Sequence, residues 1–172
     1  MSPASQLPTD ATDADYKVRV LLVDDQLIIV EAVRRMLAAH TDIEYHHVTD
    51  PHAAIAVAQA LRPTVILQDL VMPGVDGFEL IQAYRADPVL REVPVIVLTT
   101  KDEPKLKAHG FAVGANDYLV KLPDQLELVA RIRHHSGGYI KGLQCHACQD
   151  ALKVCQAELA EARAELAALR GF

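Results

Sequence analysis

Tryptophan is absent from this sequence, aromatic residues make up only 5% of it, and cysteine occurs only at Cys145, Cys148 and Cys155. An odd number of cysteines, crowded into one segment, excludes a disulfide framework for the fold. A surplus of positive charge is also lacking, since the net charge is −6 at pH 7. We therefore expect no direct binding to nucleic acid.

Long apolar runs are lacking as well. The stretch Met1 to Ala14 has neither a basic start nor an apolar core, and no later run is apolar for long enough to cross a bilayer. These absences predict neither a signal peptide nor a membrane span. We expect a cytoplasmic protein without a membrane partner.

The residues that are present predict one globular domain, since 51% of the 172 residues are hydrophobic and 23% are charged. Residues 1–16 are small and polar and are predicted to be a disordered leader, so the domain would span residues 17–135. Five short apolar runs predict β-strands at Val18–Val23, Ile43–Val48, Thr64–Leu67, Val93–Thr99 and Asp117–Val120.

The segments between these runs have helical spacing, as in Ile29, Val33 and Leu37. Strand and helix thus alternate five times. This alternation predicts an α/β fold with a five-stranded parallel sheet and helices on both faces, the doubly wound flavodoxin-like (βα)5 arrangement. Ligands of such folds bind beyond the carboxyl ends of the strands.

Polar side chains follow the predicted strands at these carboxyl ends. They are Asp24 and Asp25 after the first strand, Asp69 after the third, Thr99 at the end of the fourth and Lys121 after the fifth. Clustered carboxylates repel one another, and a bound divalent cation removes that cost. Mg²⁺ prefers such oxygen ligands. A carboxylate in this setting can attack a phosphoryl group and form an acyl phosphate.

Each of these residues also has an ordinary structural explanation. Asp24 and Asp25 could form a turn or cap a helix. Asp69 could start a loop, and Lys121 could be a solvated surface charge. Only their joint position at one edge of the predicted sheet favours a functional site.

Four sequence stretches cover these positions in one order: VLLVDDQ, LQDLVMPGVDGFEL, VIVLTTK and GANDYLVKLP. In that order and at these separations they resemble the motifs of response-regulator receiver domains of the CheY-like type. The resemblance extends from residue 18 to about residue 133. It implies a two-component signalling domain rather than an enzyme, with a histidine kinase as its partner.

The resemblance also implies roles for the acidic residues. Asp69 would be the phosphorylated aspartate, and Mg²⁺ would be the cofactor. Asp25 and Asp69 would be direct magnesium ligands, and Asp24 would act largely through a water. The backbone carbonyl of Val71 would supply a further ligand.

The remaining roles concern the switch. By resemblance, the hydroxyl of Thr99 would move onto the phosphoryl group, and Lys121 would form an ion pair with it. Tyr118 would be the aromatic side chain that swings inward when Thr99 moves. The alternative for Tyr118 is an ordinary half-buried tyrosine on a strand.

Four positions depart from the family pattern. Leu122 stands between Lys121 and Pro123, where the family usually has proline directly after the lysine. Thr100 is bulkier than the usual residue after the switch threonine. Val71, two residues after the acceptor, cannot hydrogen-bond an attacking water through its side chain, and Lys101 holds the matching place after Thr99. We therefore predict a long-lived acyl phosphate.

The motifs resemble in particular receivers of the Wsp surface-sensing type, which precede a diguanylate cyclase. This resemblance implies an output through c-di-GMP. The cyclase's own Gly-Gly-Asp/Glu-Glu-Phe signature is absent from this sequence. We expect either a part of a longer protein or a stand-alone form, without enzyme activity in this chain.

Residues 136–172 are predicted to form a hinge and a coiled-coil helix. Ser136-Gly137-Gly138 is expected to interrupt the last receiver helix, because two interior glycines cost about 2 kcal/mol relative to alanine. Residues at alternating steps of three and four then predict a coiled-coil seam and a homo-oligomer through residues 139–170. The seam residues are Cys145, Cys148, Leu152, Cys155, Leu159, Ala162, Leu166 and Leu169. Charged residues off the seam are Glu158, Glu161, Arg163, Glu165 and Arg170.

Three alternatives concern this tail. It could be a lone amphipathic helix packed on its own receiver. Cys145 and Cys148 with His146 could bind zinc across a dimer, and Cys155 could form an interchain disulfide. We favour a role as small apolar core residues for all three cysteines, because His146 points away from the seam and cytoplasmic thiols are normally reduced.

The resulting hypothesis is that phosphorylation of Asp69 switches assembly through the tail and so controls a diguanylate cyclase output. One alternative is a stand-alone receiver or oligomerisation module that acts on a separate partner. Another is a phosphatase-like hydrolase, disfavoured because Val71 stands where a second acid–base carboxylate would be needed. The sequence does not determine the cognate kinase, the output or the choice between dimer and tetramer.

Overall fold

The computed structural model describes residues 17–100 and 103–170. The predicted leader, residues 1–16, and Lys101 lie outside these residues. Alternating strands and helices build one sheet with helices on both faces. The strands of the main sheet are β1 (Val18–Val23), β2 (Ile43–Val48), β3 (Val65–Asp69), β6 (Val95–Thr99) and β7 (Asp117–Val120).

These five strands are parallel, as predicted, and lie in the order β2-β1-β3-β6-β7. A small antiparallel pair follows β3, formed by β4 (Val71–Met72) and β5 (Val75–Asp76), which the sequence did not reveal. The helices are α1 (Leu27–Leu37), α2 (Ala54–Leu61), α3 (Gly77–Ala86), α4 (Pro104–Ala112) and α5 (Gln125–Arg170). A short 3₁₀ turn, Pro51–Ala53, leads into α2.

The core has two layers, one on each face of the sheet. Helices α1 and α5 bury residues such as Val33 and Ile132 against one face. Helices α2 and α3 bury residues such as Ala58 and Tyr84 against the other face. The central strands β3 and β6 are buried along their whole length, which explains their continuous apolar sequence.

Two of the five strands have bounds that differ from the predictions. The third strand runs from Val65 to Asp69 rather than from Thr64 to Leu67, so Asp69 is the last residue of β3. The fourth strand begins at Val95 rather than at Val93, because the N–H of Val93 donates to the Leu90 carbonyl in a turn. The extension of β3 comes from the pairing of Gln68 and Asp69 with β6, which local sequence does not report.

The predicted interruption at Ser136-Gly137-Gly138 is wrong, because α5 continues through these residues to Arg170. Ser136 is fully buried, and its hydroxyl is hydrogen-bonded to that of Thr64 at 3.1 Å. Tyr139 packs against the core just beyond the glycines. The contacts of Ser136 and Tyr139 flank the two glycines and offset the free-energy cost of glycine inside a helix. The proposed domain boundary after residue 135 therefore does not coincide with a helix break.

The C-terminal part of α5 projects from the rest of the domain. Every side chain from Cys145 to Leu169 is exposed. The alternative in which this helix packs on its own receiver is therefore wrong. None of the helices in the described ranges has the length and apolar character needed to cross a membrane.

Candidate acceptor site

The polar residues predicted from the strand ends converge in one crevice. Asp24 follows β1, and Asp69 ends β3, which pairs directly with β1. The order of the strands reverses at this position, since β2 lies on one side of β1 and β3 on the other. Crossover connections leave such a crevice open beyond the carboxyl ends of the strands. The site therefore lies where this topology predicts it.

Lys121 joins two of the carboxylates. Its Nζ lies 2.7 Å from Asp24 Oδ2 and 2.8 Å from Asp69 Oδ2. The side chains are almost fully enclosed, with exposed fractions of 3% for Lys121, 0% for Asp24 and 4% for Asp69. Little water screens these ion pairs, so each charge depends on its partners.

The single positive charge of Lys121 does not balance the negative charges of three carboxylates. Oxygens of Asp24, Asp25 and Asp69 all lie within 4.8 Å of one another. Burial, the largest effect, raises the pKa of Asp24, and the charge of Asp69 adds to this. Hydrogen bonds from Lys121 and from the N–H of Gln26 offset only part of that rise in pKa.

This cluster has the chemistry of a site for a hard divalent cation. Within the described ranges, the buried Oδ1 of Asp25 accepts no hydrogen bond. The acidic trio is also the only group of three or more His, Cys, Asp or Glu side chains in that part of the chain that could share an ion. The excess negative charge of the three carboxylates and the unbonded Oδ1 of Asp25 are both suited to binding Mg²⁺.

Thr99 and Tyr118 lie on neighbouring strands beside this cluster. Thr99 ends β6 and is buried, and its carbonyl accepts the N–H of Lys121 at 2.6 Å. Tyr118 pairs in register with Val97, so its side chain shares a face of the sheet with that of Thr99. Tyr118 is 8% exposed, and Lys107 Nζ lies 5.9 Å from its ring centroid.

The sequence of the loop after β7 departs from the family pattern. The Lys121–Leu122 peptide is cis, and Leu122 is 47% exposed. Asp124 then starts α5, since its Oδ1 accepts the N–H of Leu126 at 2.8 Å. This cap marks the start of the last receiver helix.

Comparison with known proteins identifies the family and the fold. The family model for the response regulator receiver domain matches residues 20–133, more than half of the chain. The chain belongs to this family. The predicted resemblance to receiver domains is therefore confirmed.

Response regulator PleD of Caulobacter vibrioides is 38% identical over 118 residues, which cover 67% of this chain but only 25% of PleD. Chemotaxis protein CheY4 of Vibrio cholerae has a similar structure, with a TM-score of 0.65 and 34% identity over 69% of this chain and 98% of CheY4. The receiver domain of sensor histidine kinase PA1611 from Pseudomonas aeruginosa has a TM-score of 0.64 and 28% identity, over 71% of this chain and 99% of that domain. Its structure has a magnesium ion coordinated in the active site cleft.

The receiver structure also contains supporting residues that sequence reasoning missed. Gln68 is fully buried beside the acceptor, and its amide donates to the Asp69 carbonyl at 2.7 Å. The Tyr84 hydroxyl donates to Gln68 Oε1 at 2.9 Å, and burial raises the pKa of Tyr84. The signal in the sequence was a polar residue, Gln68, directly after the apolar residues of VILQD. This buried network fixes the backbone that carries Asp69.

Gly77 is a second missed residue. A Cβ at this position would collide with the Asp69 carbonyl and would lie 2.6 Å from Leu70 Cα. The Gly77 N–H also donates to the Leu70 carbonyl at 3.1 Å. The start of α3 can approach the acceptor loop this closely only because the residue is glycine.

Proposed function

We propose that Asp69 accepts a phosphoryl group from a histidine kinase in the cytoplasm. Asp24, Asp25, Asp69 and the Val71 carbonyl would hold Mg²⁺. The observation that carries this proposal is the Lys121 ammonium, which contacts both Asp24 and Asp69 inside an enclosed acidic crevice. A structural ion pair would not need the additional half-buried carboxylate of Asp25.

In the reaction, a carboxylate oxygen of Asp69 forms a bond to phosphorus while the bond from phosphorus to the kinase imidazole nitrogen breaks. The imidazole leaves with the electron pair of that bond and takes up a proton. Bound Mg²⁺ would balance the charges of the carboxylates and the phosphoryl oxygens. Lys121 stabilises the same oxygens from the other side, and the hydroxyl of Thr99 donates to them.

The proposed output depends on α5. The new charge on Asp69 draws Thr99 toward it, and the change passes through Tyr118 to α5 and the assembly formed by residues 139–170. The motif resemblance to Wsp-type receivers supports a diguanylate cyclase as the regulated output. Three quarters of PleD lies outside the matched stretch, so PleD is long enough to carry an output region in addition to its receiver.

A phosphoryl mimic tests the switch and the assembly together. We expect beryllofluoride with Mg²⁺ to increase the light-scattering mass of the wild-type chain, because the mimic binds Asp69 and shifts the pre-existing equilibrium. Asp69→Asn should keep its original mass under the same conditions. An identical response from both proteins would show that the acceptor site does not control assembly.

A stand-alone receiver is the second candidate. The match to CheY4 spans 98% of that chain, which therefore contains little besides the receiver. On this alternative, the mimic would leave the mass unchanged but increase binding of a separate partner. Affinity capture with mimic-bound chain, with Asp69→Asn as the control, distinguishes the two candidates.

The lifetime of the phosphoryl group gives a separate prediction. Val71 is 74% exposed next to the acceptor, and its N–H contacts Asp69 Oδ1 at 3.3 Å. Its isopropyl group cannot orient an attacking water, whereas an amide can. We expect Val71→Asn to lose phosphate about tenfold faster than wild type. The measurement is the decay of labelled protein after removal of the donor, and equal decay rates would contradict the predicted long lifetime.

A further inference from the structure

The exposed part of α5 carries a complete heptad pattern. Cys145, Leu152, Leu159 and Leu166 occupy the a positions, and Cys148, Cys155, Ala162 and Leu169 occupy the d positions. The four seam leucines are 51–76% exposed within one chain. A regular apolar seam that remains exposed needs a partner helix with a matching seam.

The charges beside this seam identify the partner. Arg163 occupies an e position, and the residues three or four places away on its own helix are Leu159, Ala160, Leu166 and Ala167. Helical neighbours lie at just these spacings, so no acidic side chain on the same helix faces Arg163. In the described part of the chain, Arg163 also has no ion-pair partner from the receiver.

Glu158 and Glu165 occupy the preceding and following g positions. Glu158 lies five residues before Arg163, and Glu165 lies five residues before Arg170 in the sequence. A separation of five does not bring two side chains together on one helix. It is the separation between a g residue of one strand and the facing e residue of the other strand in a parallel coiled coil.

We propose that the tail pairs with a second copy of this chain as a parallel, in-register, two-stranded coiled coil. Glu158 of each copy then faces Arg163 of the other, and Glu165 faces the next e position. The inference rests on the proposed function only for its biological purpose, since the pairing needs no phosphoryl group.

The antiparallel alternative is disfavoured by the same charges. Antiparallel strands place g residues opposite g residues and e residues opposite e residues. In an antiparallel pair centred on the middle of the seam, Glu158 would face Glu158 of the other copy, and Arg163 would face Gln149 and have no acidic partner. The parallel arrangement instead holds both receivers at the same end of the coiled coil, and brings Cys148 of one copy against Cys148 of the other.

Charge reversal tests the orientation. In the full-length chain, Glu158→Lys with Glu165→Lys should weaken dimerisation by about 30-fold, because four attractive interchain pairs become repulsive. Adding Arg163→Glu and Arg170→Glu should restore it. In an antiparallel dimer, the two Glu→Lys substitutions would only replace repulsion between glutamates with repulsion between lysines. An unchanged dimerisation constant in sedimentation equilibrium would therefore overturn the proposal.

Cross-linking provides a second test. A variant with Cys148 as its only cysteine, made by Cys145→Ser and Cys155→Ser, should form covalent dimers with a short bismaleimide. Antiparallel pairing about the middle of the seam would put Cys148 opposite residue 166 and separate the two thiols by about 27 Å, beyond the reach of the reagent. The matched control replaces all three cysteines with serine and carries Asp150→Cys, at an outward f position, and should not cross-link.

The outcomes separate this inference from the proposed function. The Cys148-only variant should cross-link equally well with Asp69→Asn present, because pairing does not require the acceptor. Cross-linking that survives in both proteins while beryllofluoride has no effect on mass would contradict only the phosphorylation switch. Absence of cross-linked dimers in both proteins, at concentrations where sedimentation equilibrium shows dimers, would overturn the parallel coiled coil.

Discussion

Asp69→Asn is expected to reduce phosphoryl incorporation by at least about a thousandfold, because loss of a nucleophile removes the reaction rather than slowing it. The asparagine amide has nearly the same shape as the carboxylate but cannot form the acyl phosphate. Incubation with acetyl phosphate and Mg²⁺, followed by intact-mass measurement, counts the phosphoryl groups directly.

The variant should fold normally. Asp69 is one of three clustered carboxylates, and its removal relieves repulsion while Lys121 keeps its 2.7 Å contact with Asp24. Asp150→Asn is the matched control, since Asp150 is an exposed carboxylate on α5. Incorporation into Asp69→Asn at the level of the Asp150→Asn control would show that another residue accepts the phosphoryl group.

Lys121→Met is expected to destabilise the metal-free protein by about 3–5 kcal/mol, because it leaves buried carboxylates without their cation. Methionine has a similar length and is apolar, so the loss is mainly that of the charge. The free energy of unfolding in urea with a chelator present measures this cost. Mg²⁺ should restore part of the lost stability, since the cation balances the same carboxylates.

Lys153→Met is the control for this prediction. Lys153 also forms an ion pair, with Asp150 Oδ1 at 2.9 Å, but both side chains are about three-quarters exposed. Exposed pairs contribute little to stability, so we expect almost no change. Equal effects of the two substitutions would mean that the Lys121 bridge is not a buried electrostatic centre.

Much of the fold followed from local sequence. The five apolar runs predicted all five strands of the parallel sheet, because buried parallel strands need continuous apolar residues whichever neighbours they have. The same alternation with helices implied that Asp24, Asp69 and Lys121 share one edge. Their contacts at 2.7 and 2.8 Å confirm this.

Two errors show where local sequence is insufficient. Gly137 and Gly138 predicted a break, but α5 continues because Ser136 and Tyr139 are held by the receiver on both sides. The partner of Ser136 is Thr64, 72 residues away. Gln68 was missed for the same reason, since its partner Tyr84 is on another element.

The sequence alone determined the order of the main strands and helices, the position of the candidate acceptor Asp69 and the heptad pattern of the tail, because each depends on residues at short, regular spacings. The tertiary structure decided how the carboxylates share Lys121, what supports the acceptor backbone and that the seam projects away from the receiver. These properties depend on contacts between residues far apart in the chain, and only packing brings such residues together.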